Sequence, residues 1–178
     1  MPPTLRHVTT TPTPRLAIYP GSFDPLTMGH MDIITRALTI FDQVTLVLAD
    51  NPDKAGRHLL SLEERLATAR QALAHLPGAH VTSTRGLLAH AAQNLHASAI
   101  IRGIRNGSDL DAETPMAHMN RFLGAPETIF LPADGTYGHV SSSLVKDVAW
   151  HGGDVSTLVP PAVLDTLLNA VEKKKAAH

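Results

Sequence analysis

The chain has 178 residues, 15 Lys+Arg against 16 Asp+Glu, a formal net charge of -1, 43% hydrophobic residues and no cysteine. That length suits one ordinary domain, and the missing cysteines exclude a disulfide scaffold, a thiolate nucleophile, Cys-ligated zinc and iron–sulfur clusters. A nearly balanced charge excludes a surface-wide positive field, so nucleic acid is not an expected partner and any anion site must be local.

Residues 1–14 are rich in Thr and Pro and lack periodicity, so they read as a disordered N-terminal extension, with the folded domain over 15–178. No run of 18 or more apolar residues occurs, and the N-terminus lacks an apolar stretch ending in a small-residue cleavage site. No membrane partner is expected, and the expected compartment is the cytoplasm.

From Arg15 onward, short β-branched runs alternate with longer segments whose apolar residues recur at helical spacing. The runs at 16–19, 44–49, 80–83, 99–101 and 128–131 read as strands. Between them, Ile34, Ala37, Leu38 and Phe41 share one helical face, and Leu62, Leu66, Ala69, Leu73 and Leu76 share another. Ser61 and Glu64 have capping-box spacing, and this second helix stops near Pro77-Gly78. Further helices are expected over 87–95, 109–123, 142–150 and 162–174. Pro115 falls inside the 109–123 segment, so that helix either starts late, near Glu113, or is distorted there. The alternation predicts a single-domain, Rossmann-like α/β fold, with a five-stranded parallel sheet and helices on both faces.

Such a sheet binds ligands outside the carboxyl ends of its strands, which directs attention to the following loops. The first reads Tyr19-Pro20-Gly21-Ser22-Phe23-Asp24-Pro25-Leu26-Thr27-Met28-Gly29-His30. It matches neither the dinucleotide fingerprint nor the Gly-x4-Gly-Lys-Ser/Thr phosphate loop. Instead Gly29 removes a side chain that would block access, and His30, in the first turn of a helix, can donate an imidazole hydrogen bond to a phosphate oxygen. After the fourth strand, Arg102-Gly103-Ile104-Arg105 places two guanidiniums around a glycine, a match for phosphate geometry. After the fifth, Ser141-Ser142-Ser143 offers hydroxyls at a helix start, with Lys146 one turn on. Lys54 follows the second strand. These cations should gather at one sheet edge, with the balancing acids on helices elsewhere. Of the eleven histidines, the others form no metal-ligand spacing, and no metal held by protein side chains is expected.

At these residues the sequence resembles the bacterial phosphopantetheine adenylyltransferases, nucleotidyltransferases with a His/Thr-x-Gly-His motif and a late Ser-Ser-Ser/Thr-x-x-Lys/Arg motif. The resemblance runs from about Leu16 to Pro160. It is carried by AIYPGSFDPLTMGHMDIITRA, LSLEERL, IIRGIRNGSDLDAE followed by MAHMNRFL, and VSSSLVKDVAWHGGDVSTLVP. It implies transfer of the adenylyl group of ATP to 4′-phosphopantetheine, giving dephospho-coenzyme A and pyrophosphate without a covalent intermediate, with Mg²⁺ accompanying ATP and a homohexameric assembly. Carried over by position, it implies that Ser22 and Phe23 lie against both substrates and that His30 stabilises charge on the α-phosphate. Lys54 and Arg102 would hold the phosphopantetheine phosphate, acting in catalysis with His30, and Leu88 would line the pantetheine arm. Gly103, Ile104, Arg105, Glu113, Tyr137, Gly138, His139, Val140, Ser141, Ser142 and Ser143 would contact ATP. Two alternatives stay open: another small nucleotidyltransferase acting on nicotinamide mononucleotide or an alcohol phosphate, and a non-catalytic nucleotide- or coenzyme A-binding regulator.

Overall fold

Five β-rich runs pair into one parallel sheet ordered β3-β2-β1-β4-β5 in a computed structural model that describes residues 13–50 and 58–177. The elements follow in chain order as β1 (Leu16–Gly21), α1 (Met28–Ala37), β2 (Gln43–Ala49), α2 (Leu62–Leu73), β3 (Ala79–Thr84), α3 (Leu88–Asn94), β4 (Ala99–Ile104), α4 (Gly107–Phe122), β5 (Thr128–Pro132), α5 (Ser142–Trp150) and α6 (Pro161–Ala176). The expected extension falls almost wholly outside the described residues, as does Lys54.

Alternate strand residues face opposite layers because successive side chains of a strand point to opposite sides. Ala17, Tyr19, Val44, Leu46, Leu48, Ala99 and Ile101 pack with Ile34 of α1, Leu73 of α2, Val145 of α5 and Val163 and Leu167 of α6. Ile18, Val47 and Ile100 face the other way, against Ala89 and Ala92 of α3. The sheet is therefore covered on both faces, as near-continuous apolar strands require.

Three boundaries differ from expectation. β1 runs on through Pro20 and Gly21, and β4 runs on through Arg102, Gly103 and Ile104. The Arg-Gly-Ile segment is thus the end of a strand rather than the loop after it, held by register pairs Arg102↔Phe130 and Ile104↔Pro132 with β5. α4 neither starts late nor stops for Pro115. It begins at Gly107, capped by the Asn106 side chain, which accepts from Asp109 N–H at 3.0 Å, and continues through Pro115 to Phe122. Around the proline, the Thr114 hydroxyl donates to the Leu110 carbonyl at 2.6 Å, giving that carbonyl a side-chain partner.

Candidate active site

The strand order reverses between β1 and β4, where an open α/β sheet forms its ligand crevice. β1 stays in register with β2 up to Gly21↔Leu48, yet it pairs with β4 only at Ala17↔Ala99 and Ile18↔Ile100. Beyond these pairs the two strands part. Arg102 spans the gap, its Nη1 donating to the Pro20 carbonyl at 2.6 Å. Above the gap lies a cleft of about 310 Å³ bordered by Ser22, Phe23, His30, Arg102, Gly103, Arg105, Glu113, Tyr137, Val140, Ser141 and Ser142. Three stretches singled out from the sequence, after β1, at the end of β4 and after β5, thus meet in one place. Ile104, Gly138, His139 and Ser143 do not border it. Leu88 borders a second, smaller pocket of about 80 Å³, which shares Arg102 and Glu113 with the first.

His30 is held by the start of its own helix. The buried Thr27 caps α1: its hydroxyl accepts from the His30 amide at 3.4 Å, and its own N–H donates to His30 Nδ1 at 3.0 Å. An Nδ1 that accepts a hydrogen bond leaves the ring proton on Nε2. Phe23 and Tyr19 stand edge-on to the ring, at centroid distances of 5.0 and 6.2 Å. Burial, with the charges of Arg105 and Arg102 acting in the same direction, lowers the imidazole pKa to about 4. His30 is therefore a neutral donor at pH 7.

The two cleft arginines are not bare cations. Arg102 Nε donates to Glu113 Oε2 at 2.7 Å, and its Nη2 binds Glu113 Oε1, a two-point pair on a half-buried side chain. Arg105 grips Asp109 in the same way, through Nε at 2.8 Å and Nη2 at 3.0 Å. That contact pulls the Asp109 carboxyl below the usual carboxylate range. The separation of basic and acidic residues expected from the sequence is overturned here, because α4 carries both acids to the end of β4. Lys146 departs further from expectation. Its Nζ binds Asp24 Oδ2 at 2.8 Å and it does not border the cleft. Burial raises the Asp24 pKa, but Lys146 and the amides of Leu60 and Leu59 outweigh it, and the net shift is downward. Ser141 caps α5 by accepting from Leu144 N–H, and the Ser142 hydroxyl donates to the Pro25 carbonyl at 2.8 Å.

Sequence reasoning missed Asp109 as a cleft residue and Arg65 altogether. Arg65 falls four residues before Ala69 on the packed face of α2, where the observed buried stripe is Arg65, Thr68, Ala69, Ala72 and Leu73. A cation on that stripe was the available signal.

Residues 18–148 match the cytidylyltransferase-like family. The chain is 47% identical over 146 residues to the phosphopantetheine adenylyltransferase of Deinococcus radiodurans, covering 82% of this chain and 87% of that protein. It is 48% identical over 148 residues to the one from Sodalis glossinidius, covering 83% and 91%. The fold also superposes, with a TM-score of 0.68, on a Vibrio parahaemolyticus protein assigned as a nicotinate-nucleotide adenylyltransferase. That match covers 91% of this chain and 97% of that one, and at 17% identity it speaks for the fold alone. With its motifs seated around one cleft and this identity spread over most of its length, the chain belongs to the phosphopantetheine adenylyltransferases of the cytidylyltransferase-like family.

Proposed function

We propose that the protein transfers the adenylyl group of ATP to 4′-phosphopantetheine, giving dephospho-coenzyme A and pyrophosphate, the penultimate step of coenzyme A synthesis. The observation that carries this reading is the switch-point cleft, where a neutral imidazole donor, two arginines and an exposed Ser22 converge.

An oxygen of the acceptor phosphate forms a bond to the α-phosphorus of ATP. The bond from that phosphorus to the α,β-bridging oxygen breaks, and pyrophosphate leaves with the electron pair. The attacking oxygen is already ionised, so neither a general base nor a covalent intermediate is needed, and catalysis reduces to alignment and charge stabilisation. His30 donates from Nε2 to the α-phosphate oxygens, without the reorganisation that a titrating group would require. Ser22 and Phe23 face both substrates. Arg102, together with Lys54 of the undescribed segment, receives the acceptor phosphate, and Leu88 lines the arm. Gly103, Arg105, Glu113, Tyr137, Val140, Ser141 and Ser142 hold ATP.

Mg²⁺ accompanies ATP in this reading. Among the described residues bordering the cleft, the carboxylates Asp109 and Glu113 are both bound to arginines and do not suit a metal. The ion's coordination then falls to phosphate oxygens and water. The reading also places the protein in the cytoplasm; no helix among the described residues is long and apolar enough to cross a membrane. A homohexamer, which the family resemblance implies, needs an interface between copies, and the apolar exposure along α4, where Met116, Met119 and Phe122 are 54%, 52% and 85% exposed, offers a face for one. Light scattering tests it, and a monomer at micromolar concentration overturns it.

Pyrophosphate release should require ATP, Mg²⁺ and 4′-phosphopantetheine together. No release with all three present ends the assignment. Acceptors such as nicotinamide mononucleotide and alcohol phosphates, offered with ATP and CTP, separate it from related transferases. Tight nucleotide binding without turnover by any acceptor would mark a regulator.

A further inference from the structure

Arg65 has no task in the reaction as described, yet it is among the largest fully buried side chains, at 2% exposure. Its Nη1 donates to the Ser22 carbonyl at 2.8 Å and, more distantly, to the Ala49 carbonyl at 3.5 Å. Its Nε is buried without a hydrogen-bond partner, and no carboxylate among the described residues forms an ion pair with it. A buried guanidinium with no carboxylate paired to it among the described residues is costly, and an incoming anion would offset that cost.

Its position says where that anion comes. Ser22 and Ala49 stand at the carboxyl ends of β1 and β2, so Arg65 ties these ends together from the β2 side, while Arg102 ties β1 to β4 through Pro20. The Ser22–Phe23 peptide is trans and planar, so a carbonyl held inward by Arg65 turns the Phe23 N–H the opposite way. Phe23 itself has a φ of 47°, in the left-handed region that an aromatic residue occupies only under constraint. Its ring lies across Gly21, where an added Cβ would come within 2.8 Å of it. The segment that meets the substrates is thus held in an unusual conformation from below by one buried cation.

We propose that Arg65 is a positioning residue for the acceptor phosphate: it acts through Ser22, holding the Ser22–Phe23 peptide in place and keeping a buried positive charge beneath it. The inference rests on the adenylyl-transfer reading, because it takes the acceptor's phosphate as the incoming anion.

The test compares wild type, Arg65→Gln and Arg65→Lys. Pyrophosphate release by wild type establishes the reaction first, and its absence would count against the function rather than against Arg65. Given that activity, Arg65→Gln should raise KM for 4′-phosphopantetheine about tenfold or more, the loss of a charge-assisted contact, while KM for ATP changes less than about threefold. Arg65→Lys, which keeps the charge but not the fork, should fall between the two. Calorimetry should show that Arg65→Gln lowers the preference for 4′-phosphopantetheine over pantetheine, which a general loosening of the fold would leave unchanged. Equal losses for both substrates, or an unchanged preference, overturn the proposal. Should Arg65→Gln fail to fold, Arg65→Lys decides alone: a selective rise in acceptor KM supports it, and wild-type or evenly weakened kinetics refute it.

Discussion

The two sides of the cleft handle charge in opposite ways. On the β1–α1 side the reactive group is uncharged: His30 is kept neutral by burial and by neighbouring arginines, and its tautomer is set by the Thr27 amide three residues away. On the β4–α4 side the groups are fully charged, but each is held in reserve by a carboxylate, Glu113 on Arg102 and Asp109 on Arg105. A site for two polyanions needs both. A fixed neutral donor can follow developing charge without attracting bulk anions, while paired cations stay aligned until a phosphate competes for their remaining N–H groups.

Removing the neutral donor should have the largest consequence. His30→Ala is expected to lower kcat about 10²- to 10³-fold, the usual loss for one transition-state hydrogen-bond donor, while ATP affinity changes little. Steady-state kinetics alongside calorimetric ATP binding separates the two effects. Matching losses in affinity and turnover would make His30 a ground-state ligand and erase the contrast between the two sides.

On the charged side, Arg102→Ala removes a cation and uncovers Glu113 to the incoming phosphates, so kcat/KM should fall roughly 100-fold. Glu113 both balances Arg102 and meets ATP; where the balancing role dominates, the Arg102→Ala/Glu113→Ala double variant should recover about tenfold over the single one, as coupled neighbours do. Strictly additive losses would make Glu113 an independent ATP ligand.

The sides also differ in pH response. His30 has a folded pKa of about 4 against an ordinary value of 6.5, so between these values the unfolded chain binds a proton that the folded one refuses. Stability is then lost as pH falls through that window, by about 2 kcal/mol between pH 6.5 and 5. The carboxyls of Asp24 and Asp109 have lowered pKa values and act in the other window: their contribution is present above the ordinary carboxylate value of 3.8 and is lost below it. Denaturant midpoints should therefore decline from pH 6.5 to 5 in wild type and much less in His30→Gln. Equal declines in the two proteins would locate the pH sensitivity elsewhere.

What could be read from the sequence follows the range of each interaction. The capping box at Ser61–Glu64 spans three residues and was legible, as were the five strands and the alternation that covers both faces of the sheet; the one at Thr27–His30 is equally local but was not read, because a histidine stands where Glu or Gln is usual. The true end of β4 was not, because Arg102 and Gly103 have little intrinsic strand preference and are held there by pairing with β5. The ion pair of Arg102 with Glu113 spans 11 positions, that of Lys146 with Asp24 spans 122, and the bond from Arg65 to Ser22 spans 43. No local pattern encodes such contacts, so the sequence placed Arg102 and Arg105 at the site but showed neither that Arg102 is already partnered nor that Lys146 is drawn away to Asp24.

The smallest expected effect comes from two glycines on opposite sides of the cleft. A Cβ at Gly103 would lie 3.1 Å from Ile33 Cγ1 and 3.3 Å from the Tyr19 hydroxyl, in the space where β4 meets α1. Tyr19 and Ile33 are both buried and cannot readily yield, so Gly103→Ala should cost about 1 kcal/mol and lower Tm by about 2–4 °C. A Cβ at Gly29 would meet Tyr137 Cβ at 3.5 Å, the Thr27 hydroxyl at 3.7 Å and the Tyr137 carbonyl at 3.8 Å, ordinary contacts, in a helical position where alanine is preferred. Gly29→Ala should therefore hold or raise Tm, and any loss it causes should appear in nucleotide affinity, since its methyl would stand beside Tyr137 at the cleft. A drop in Tm for Gly29→Ala equal to that for Gly103→Ala would mean that the β1–α1 side is as tightly packed as the β4–α4 side, and that Gly29 is required by the fold before it is required by the ligand.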